Sequence, residues 1–428
     1  MNYSMKLTVQ ILILILFFKG FTQEFKEIVP PKNIKTILLQ ELGSEKQIPL
    51  IQLGKTLNFS FDDINGDEAD YYYKISHRNF DWSPSVLSKN EYINGMDDQH
   101  IQEYENSFNT LQIYSHFKLK IPNNDLRITK TGNYFLEIYD DYDEIVFTKK
   151  FIIYKNDAIV ATEIKRSRNL NFINEKQIVQ FSIKPKNTFF INPKNNVRTL
   201  IFKNNNIKNN ITILKPQYTI GNTLIYRYDQ EASFWAGNEY LNFDNKNIRG
   251  GNISIQSFDL QNVYHNKLYR NKSRNNEPYT YNPDINGGFV VRNLNSNNSN
   301  IEADYVNIHF SLENYEYIVN QKIYVVGNFN NYILNEASEL KYNSNKGIYE
   351  NTSLIKQGFV NYKFISSINN KIDNSLIEGN FYQTENEFTV LVYYKKQGDR
   401  YDKVIGIGKG SSINISNWFL FLTHLIII

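Results

Sequence analysis

The sequence predicts an all-β protein, built as three sequential β-sandwich, immunoglobulin-like modules after a signal peptide. Apolar residues recur with period two from end to end, and long runs with helical spacing are missing. The chain holds 31 Tyr and 29 Phe against 3 Met, and aromatic side chains suit a pleated, half-buried surface. Segments rich in Asn, Gly and Pro interrupt the alternation at short intervals, as turns between strands do. A length of 428 residues, 41% of them apolar, allows two or three domains with a sizeable core. Lys plus Arg exceed Asp plus Glu by only 47 to 44, a balance that excludes both a disordered tail and a basic nucleic-acid binder.

The first element, residues 1–23, reads as a signal peptide. Lys6 precedes the apolar run Leu7 to Phe18, broken only by Thr8 and Gln10, and Lys19 to Glu24 form a polar exit. The run is shorter than the roughly 20 residues of a membrane-spanning helix, so export with no direct membrane span is expected. Zero Cys removes disulfides, a thiol nucleophile and Cys-ligated zinc from consideration.

Residues 24–154 form the expected N-terminal β-sandwich. Leu57, Phe59 and Phe61 alternate with Asn58, Ser60 and Asp62 ahead of a turn at Asn65-Gly66; Tyr71 to Ser76 follows as a strand. Gly132 to Tyr139 and Glu144 to Tyr154 make a hairpin around the acidic turn Asp140 to Asp143. A middle β-sandwich is expected over 155–292, from short strands at Ile178 to Ile183, Val197 to Phe202, Asn210 to Leu214 and Thr223 to Tyr228. Residues 293–300, all Asn and Ser except Leu294, have the composition of a linker. A C-terminal immunoglobulin-like domain is expected over 301–408, with a strand at Ile323 to Val326 and a hairpin loop at Asn343 to Gly347. Residues 409–428 form an apolar tail, too short to span a bilayer as a helix.

Motifs for chemistry are absent, and no enzyme, cofactor or metal is expected. Neither Gly-x-Ser-x-Gly nor His-Glu-x-x-His occurs, and Gly406 to Ser412 fails as a phosphate loop because Gly410 follows Lys409. The six His residues include no helical pair four apart. Two acidic clusters, Asp62, Asp63, Asp67, Glu68 and Asp70, and Asp140, Asp141, Asp143 and Glu144, lack the spacing of a calcium loop and read as solvated turns. The densest unusual segment is Tyr71 to Pro84, where Phe80 and Trp82 are expected in a core or at a partner surface and Asp81 braces the turn.

In the last module, Val325-Val326-Gly327-Asn328-Phe329-Asn330-Asn331-Tyr332 and Gly358-Phe359-Val360-Asn361-Tyr362-Lys363-Phe364 resemble the immunoglobulin-like module of glycogen- and starch-binding domains. Tyr332 stands where that family has Trp. The resemblance implies a carbohydrate-binding protein of the periplasm or cell surface as the alternative function, and its mark would be an exposed pair of aromatics such as Tyr332 and Tyr362.

A second resemblance runs from about Ile34 to Gly406. Phe80-Asp81-Trp82, Ser107-Phe108-Asn109-Thr110, Asn286-Gly287-Gly288-Phe289-Val290-Val291-Arg292-Asn293, Ile301-Glu302-Ala303-Asp304-Tyr305-Val306 and Glu378-Gly379-Asn380-Phe381-Tyr382-Gln383-Thr384-Glu385-Asn386 are similar to the type IX secretion system plug protein of Bacteroidota. That resemblance implies a non-enzymatic periplasmic subunit, associated with the outer membrane through the translocon. It would close the periplasmic opening of the large outer-membrane translocon barrel when no substrate is passing. The barrel is then the expected partner, with no nucleic acid. His77, Phe80, Asp81, Trp82, Phe108, Asn109, Tyr332 and Tyr382 are the family-signature residues from which partner contacts are expected. The tail from Lys409 departs from the family pattern.

Overall fold

The computed structural model describes residues 25–44, 46–213, 215–313, 320–369, 371–413 and 415. The expected signal peptide and most of the apolar tail lie outside them. The described residues are almost entirely strands, joined by turns and a few single helical turns.

The first unit is a two-sheet sandwich. One sheet runs Ile34–Glu41, Leu57–Asp63, Ser115–Ile121, Glu103–Asn106, with every neighbour antiparallel. The other runs Leu50–Gln52, Ile145–Tyr154, Gly132–Tyr139, Tyr72–Arg78, Gln99–His100. Alternation turns Leu57, Phe59 and Phe61 inward, where Phe61 stacks on Phe117 at 5.0 Å and meets Phe147 edge-on at 5.4 Å from the facing sheet. The hairpin Gly132–Tyr139 and Ile145–Tyr154 forms at the expected residues.

The second unit pairs Ala158–Arg166, Lys176–Pro185, Thr223–Tyr226 and Tyr218–Ile220 in one sheet. Its second sheet runs Asn206–Ile213, Val197–Lys203, Glu387–Tyr394, Lys403–Ser411. The last two described strands thus return to complete the middle sandwich, and Phe388, Val390 and Val392 share a core with Val179, Phe181 and Tyr226.

The third unit lies between those halves in sequence. Its long sheet runs Leu241–Asp244, Gly358–Ile368, Gln321–Val326, Glu339–Asn343, Ile348–Lys356, Tyr305–Glu313, Tyr264–Leu268, Ile255–Leu260. The hairpin loop at 343–347 is where the sequence puts it, with Asn343 opposite Ile348.

Strand pairing therefore divides the chain differently from the sequential boundaries. The strands Leu241–Asp244, Tyr264–Leu268 and Phe289–Val291 pair with strands beyond residue 300, and 387–411 belong with 197–213. The Asn- and Ser-rich stretch 293–300 is no free linker: Arg292 donates its N–H to Gln357, Leu294 to Lys246, and Asn293 bonds Ser299 and Glu302. Short polar side chains satisfy local backbone groups in turns as readily as they solvate linkers, so composition alone does not separate the two. Lys409 to Ser411 are likewise strand rather than tail.

Gly406, Gly408 and Gly410 also find their reason here. They alternate along one face of Lys403–Ser411, against Ala158, Val160, Thr162 and Ile164 of the opposite sheet. A Cβ on Gly408 would stand 2.6 Å from both Thr162 Oγ1 and Val160 Cγ1. The glycine repeat serves close packing of two strands.

Candidate functional site

The eight nominated residues do not converge on one pocket; most lie on the seams between the three units. His77 is buried in the first unit beside the second, ringed by Tyr92, Tyr134 and Tyr401. Its Nε2 is 3.3 Å from the Thr131 carbonyl, and burial lowers its pKa to about 4, so the ring is neutral at physiological pH. Gly132 leaves the room the ring needs: a Cβ there would stand 2.3 Å from His77 Nε2.

Phe80 crosses the seam. Its N–H donates to Asp402 at 3.2 Å, and its ring meets Tyr393 edge-on at 4.8 Å. Tyr393 in turn donates to Asn133 of the first unit at 2.8 Å. Asp81 faces solvent and accepts from the Ser83 N–H and hydroxyl, and these bonds outweigh its partial burial to hold its pKa below the usual value. Trp82 takes a left-handed φ of +68°, half-buried, with the Lys150 ammonium 4.5 Å above its ring. Core and surface are thus joined in one turn, with the neutral ring of His77 below and the carboxylate of Asp81 outside.

Tyr332 packs within the third unit, and Tyr382 marks another seam. Tyr332 is half-buried and its hydroxyl is 3.1 Å from that of Tyr240. Tyr362 is only 3% exposed and sits in the core of the third unit, so these two tyrosines form no exposed pair. Tyr382 receives the Arg166 guanidinium 3.9 Å over its ring, and its backbone bonds Asn174 and Gln177.

Phe108 and Asn109 differ, because they lie on a loop that projects. Ser107 and Tyr114 close the loop by mutual hydrogen bonds, and Asn109 supplies its left-handed bend at φ +57°. The third unit then grips it: Phe108 N–H donates to Ile301, Leu111 N–H to Asp304 at 2.7 Å, and the Tyr114 hydroxyl to Ala303 at 2.9 Å. Held this way, Phe108 (66% exposed), Leu111 and Ile113 present three large apolar side chains to solvent within six residues.

Two groupings escaped the sequence reading. Asp62 and Asp63, taken there as solvated turn carboxylates, are buried, at 0% and 1% exposure. Asp62 accepts from Lys356 at 2.6 Å and from the Tyr305 hydroxyl at 2.6 Å, and pairs with His116 Nδ1 at 2.5 Å. Burial opposes ionisation of Asp62, yet Lys356 and His116 outweigh it and hold the carboxyl below its usual range. No local pattern announces a strand-end Asp that meets a Lys 294 residues away.

The second grouping lies where the second and third units meet. Glu239 accepts from the Tyr279 hydroxyl at 2.5 Å and the Glu385 N–H at 2.9 Å; burial raises its pKa to about 7 and that of nearby Asp284 to about 6. Lys203 is buried there too, donating to the Trp235 and Ala236 carbonyls, and burial lowers its pKa to about 7. Lys203 thus bonds within the second unit, Asp284 accepts from the Tyr240 and Asn286 N–H groups, and Glu239 joins Tyr279 to Glu385. Among the described residues no group of three His, Asp or Glu is placed to hold a metal ion, and no helix is long and apolar enough to cross a membrane.

Comparison with known proteins agrees with this picture. Residues 34–155, the first sandwich, match the family described as type 9 secretion system plug protein, first domain. A crystal structure of a hypothetical protein from Parabacteroides merdae ATCC 43184 superposes with a TM-score of 0.86 at 30% identity, over 91% of this chain and 99% of that one. No curated protein matches the chain. The plug-family match on the first sandwich, and a full-length relative that shares the whole three-unit fold, place this chain in the type IX secretion system plug protein family, with a role in type IX secretion.

Proposed function

We propose that the chain is a non-enzymatic periplasmic plug that closes the periplasmic opening of the type IX translocon barrel while no substrate is passing. The observation that carries the reading is the family match over 34–155. The architecture supports it. A plug has to resist deformation at a wide opening, and the three units are cross-braced: Lys46 with Glu387, Gln47 with Phe289 and Asn328, Asn133 with Tyr393, Lys356 with Asp62. The loop at 107–114, hydrogen-bonded to the third unit, supplies contact chemistry of the kind that anchors protein interfaces, with aromatic and aliphatic side chains exposed. Phe108 and its neighbours are accordingly the first residues assigned to the barrel contact.

The test is affinity purification of the tagged protein from native envelopes, with a photocrosslinking residue in place of Phe108. One very large outer-membrane barrel recovered in near-equal amount, with crosslinks at that position, is the expected result. Failure to recover any barrel would sink the proposal; a barrel recovered without crosslinks at Phe108 would keep the plug and move its contact elsewhere.

A further inference from the structure

A cleft of about 380 Å³ separates the first unit from the third. One wall is the segment Val29-Pro30-Pro31-Lys32 with the start of the strand Ile34–Glu41; the other comes from residues 329–338 and 352–356. Among its lining residues are three Lys and no Asp or Glu.

The three lysines are not equivalent. Lys356 is neutralised by Asp62 at 2.6 Å. Lys32 is exposed and Lys35 is partly buried; the ammonium group of neither has a hydrogen-bond or ion-pair partner in any part of the described chain. Burial with no counter-charge lowers the pKa of Lys35, a cost the fold leaves uncompensated. The hydroxyls around the cleft are already engaged: Thr36 with Tyr305, Ser338 with the Ile333 carbonyl, Ser353 with Asn351, Thr352 with His309. What remains to be satisfied is positive charge, and much of the rest of the wall is apolar, with Ile34, Phe329, Ile333 and Leu354 among it.

An unpaired, half-buried cation at an apolar cleft fits a ligand with one anionic head and an aliphatic body. The volume lies at the small end of the range for small-molecule sites, roughly 300 to 1,000 Å³. We propose that this cleft binds a small amphipathic anion, an aliphatic carboxylate or phosphate monoester, with Lys35 meeting the head group and the Ile34, Ile333 and Leu354 side chains covering the body. The head-group bond is charge-assisted, and the chain burial supplies the remaining affinity.

The experiment is titration calorimetry on the full chain with decanoate, decyl phosphate, decanol and inorganic phosphate, each below micelle-forming concentration. Decanoate, decyl phosphate or both are expected to bind, and which of the two binds identifies the head group. Decanol and inorganic phosphate should each be at least about tenfold weaker, since each lacks half of the chemistry. Lys35→Met should weaken the binding at least about tenfold while leaving the unfolding temperature unchanged or higher, because it removes an uncompensated charge. Leu354→Trp, which fills the cleft without touching the charge, should abolish binding. Equal affinity for decanol and decanoate, decanoate binding unaffected by Lys35→Met, or no binding by any of the four would overturn the assignment.

Discussion

His77 shows how far a single side chain can be placed by its surroundings. It lies on the inward face of the strand Tyr72–Arg78 with Tyr73 and Ile75, and three tyrosine rings and the close backbone at Gly132 keep water away, so the neutral form is the folded one. The folded pKa, about 4, lies below the ordinary value of 6.5. The unfolded chain therefore takes up the proton first. The contribution of His77 to stability is complete above about pH 6.5 and is lost as the pH falls towards 4, by about 3 kcal/mol on the usual conversion. His77→Gln keeps a donor for the Thr131 carbonyl and does not titrate. Urea midpoints measured from pH 7.5 to 4 should fall less steeply for this variant than for the parent, and parallel profiles would remove His77 from the account of acid sensitivity.

At the scale of elements, the glycines of Lys403–Ser411 make a testable joint. Gly408→Ala inserts a methyl group where Thr162 and Val160 already stand, and overpacking of that kind costs about 1 to 3 kcal/mol. If the contact is the reason, Val160→Ala in the same chain should recover part of the loss, and the two changes should be non-additive in thermal unfolding. Full additivity would mean that the glycines answer to something other than this strand. Elements were also the most legible level of the sequence. The hairpin at Gly132–Tyr139 and the strand at Ile323 to Val326 were legible because short apolar runs bounded by turn residues are written locally; both strands are buried on both faces over most of their length. The glycine alternation at 406–410 was equally visible, but its meaning depends on a strand some 240 residues earlier, which no window of sequence contains. The same holds for the return of 387–411 to the middle sandwich. Sequential order suggested that each module closes before the next begins, and strand pairing, a long-range property, decided otherwise. The eight signature residues were expected as partner contacts, and the structure shows only where each one packs. Phe80 and Trp82 carry the size of seam residues, whereas Tyr332 looked like a sugar platform until Tyr240 was found against it.

Across the whole molecule the seams decide behaviour. The buried set Asp62, His116, Lys356, Tyr305 and Tyr114 joins the first unit to the third, with the Lys356 ammonium also 4.0 Å over the Tyr114 ring. Removing one partner of such a pair leaves the other charged and buried, a change that typically costs about 3 to 5 kcal/mol. Because the bond spans two units and both also brace the second, the loss should be felt by all three together. Lys356→Met is therefore expected to lower the stability of the entire chain by about that amount, with calorimetry still showing one transition and equal calorimetric and van't Hoff enthalpies. Asp62→Asn together with Lys356→Met, which removes both charges, should be less damaging than Lys356→Met alone. Splitting of the transition in the single variant would show that the units fold separately. Units that fold separately could then hinge against one another. One shared transition instead means that the three units behave as a single block, so that a partner would be met by its outer surface, where the loop of Phe108 is exposed.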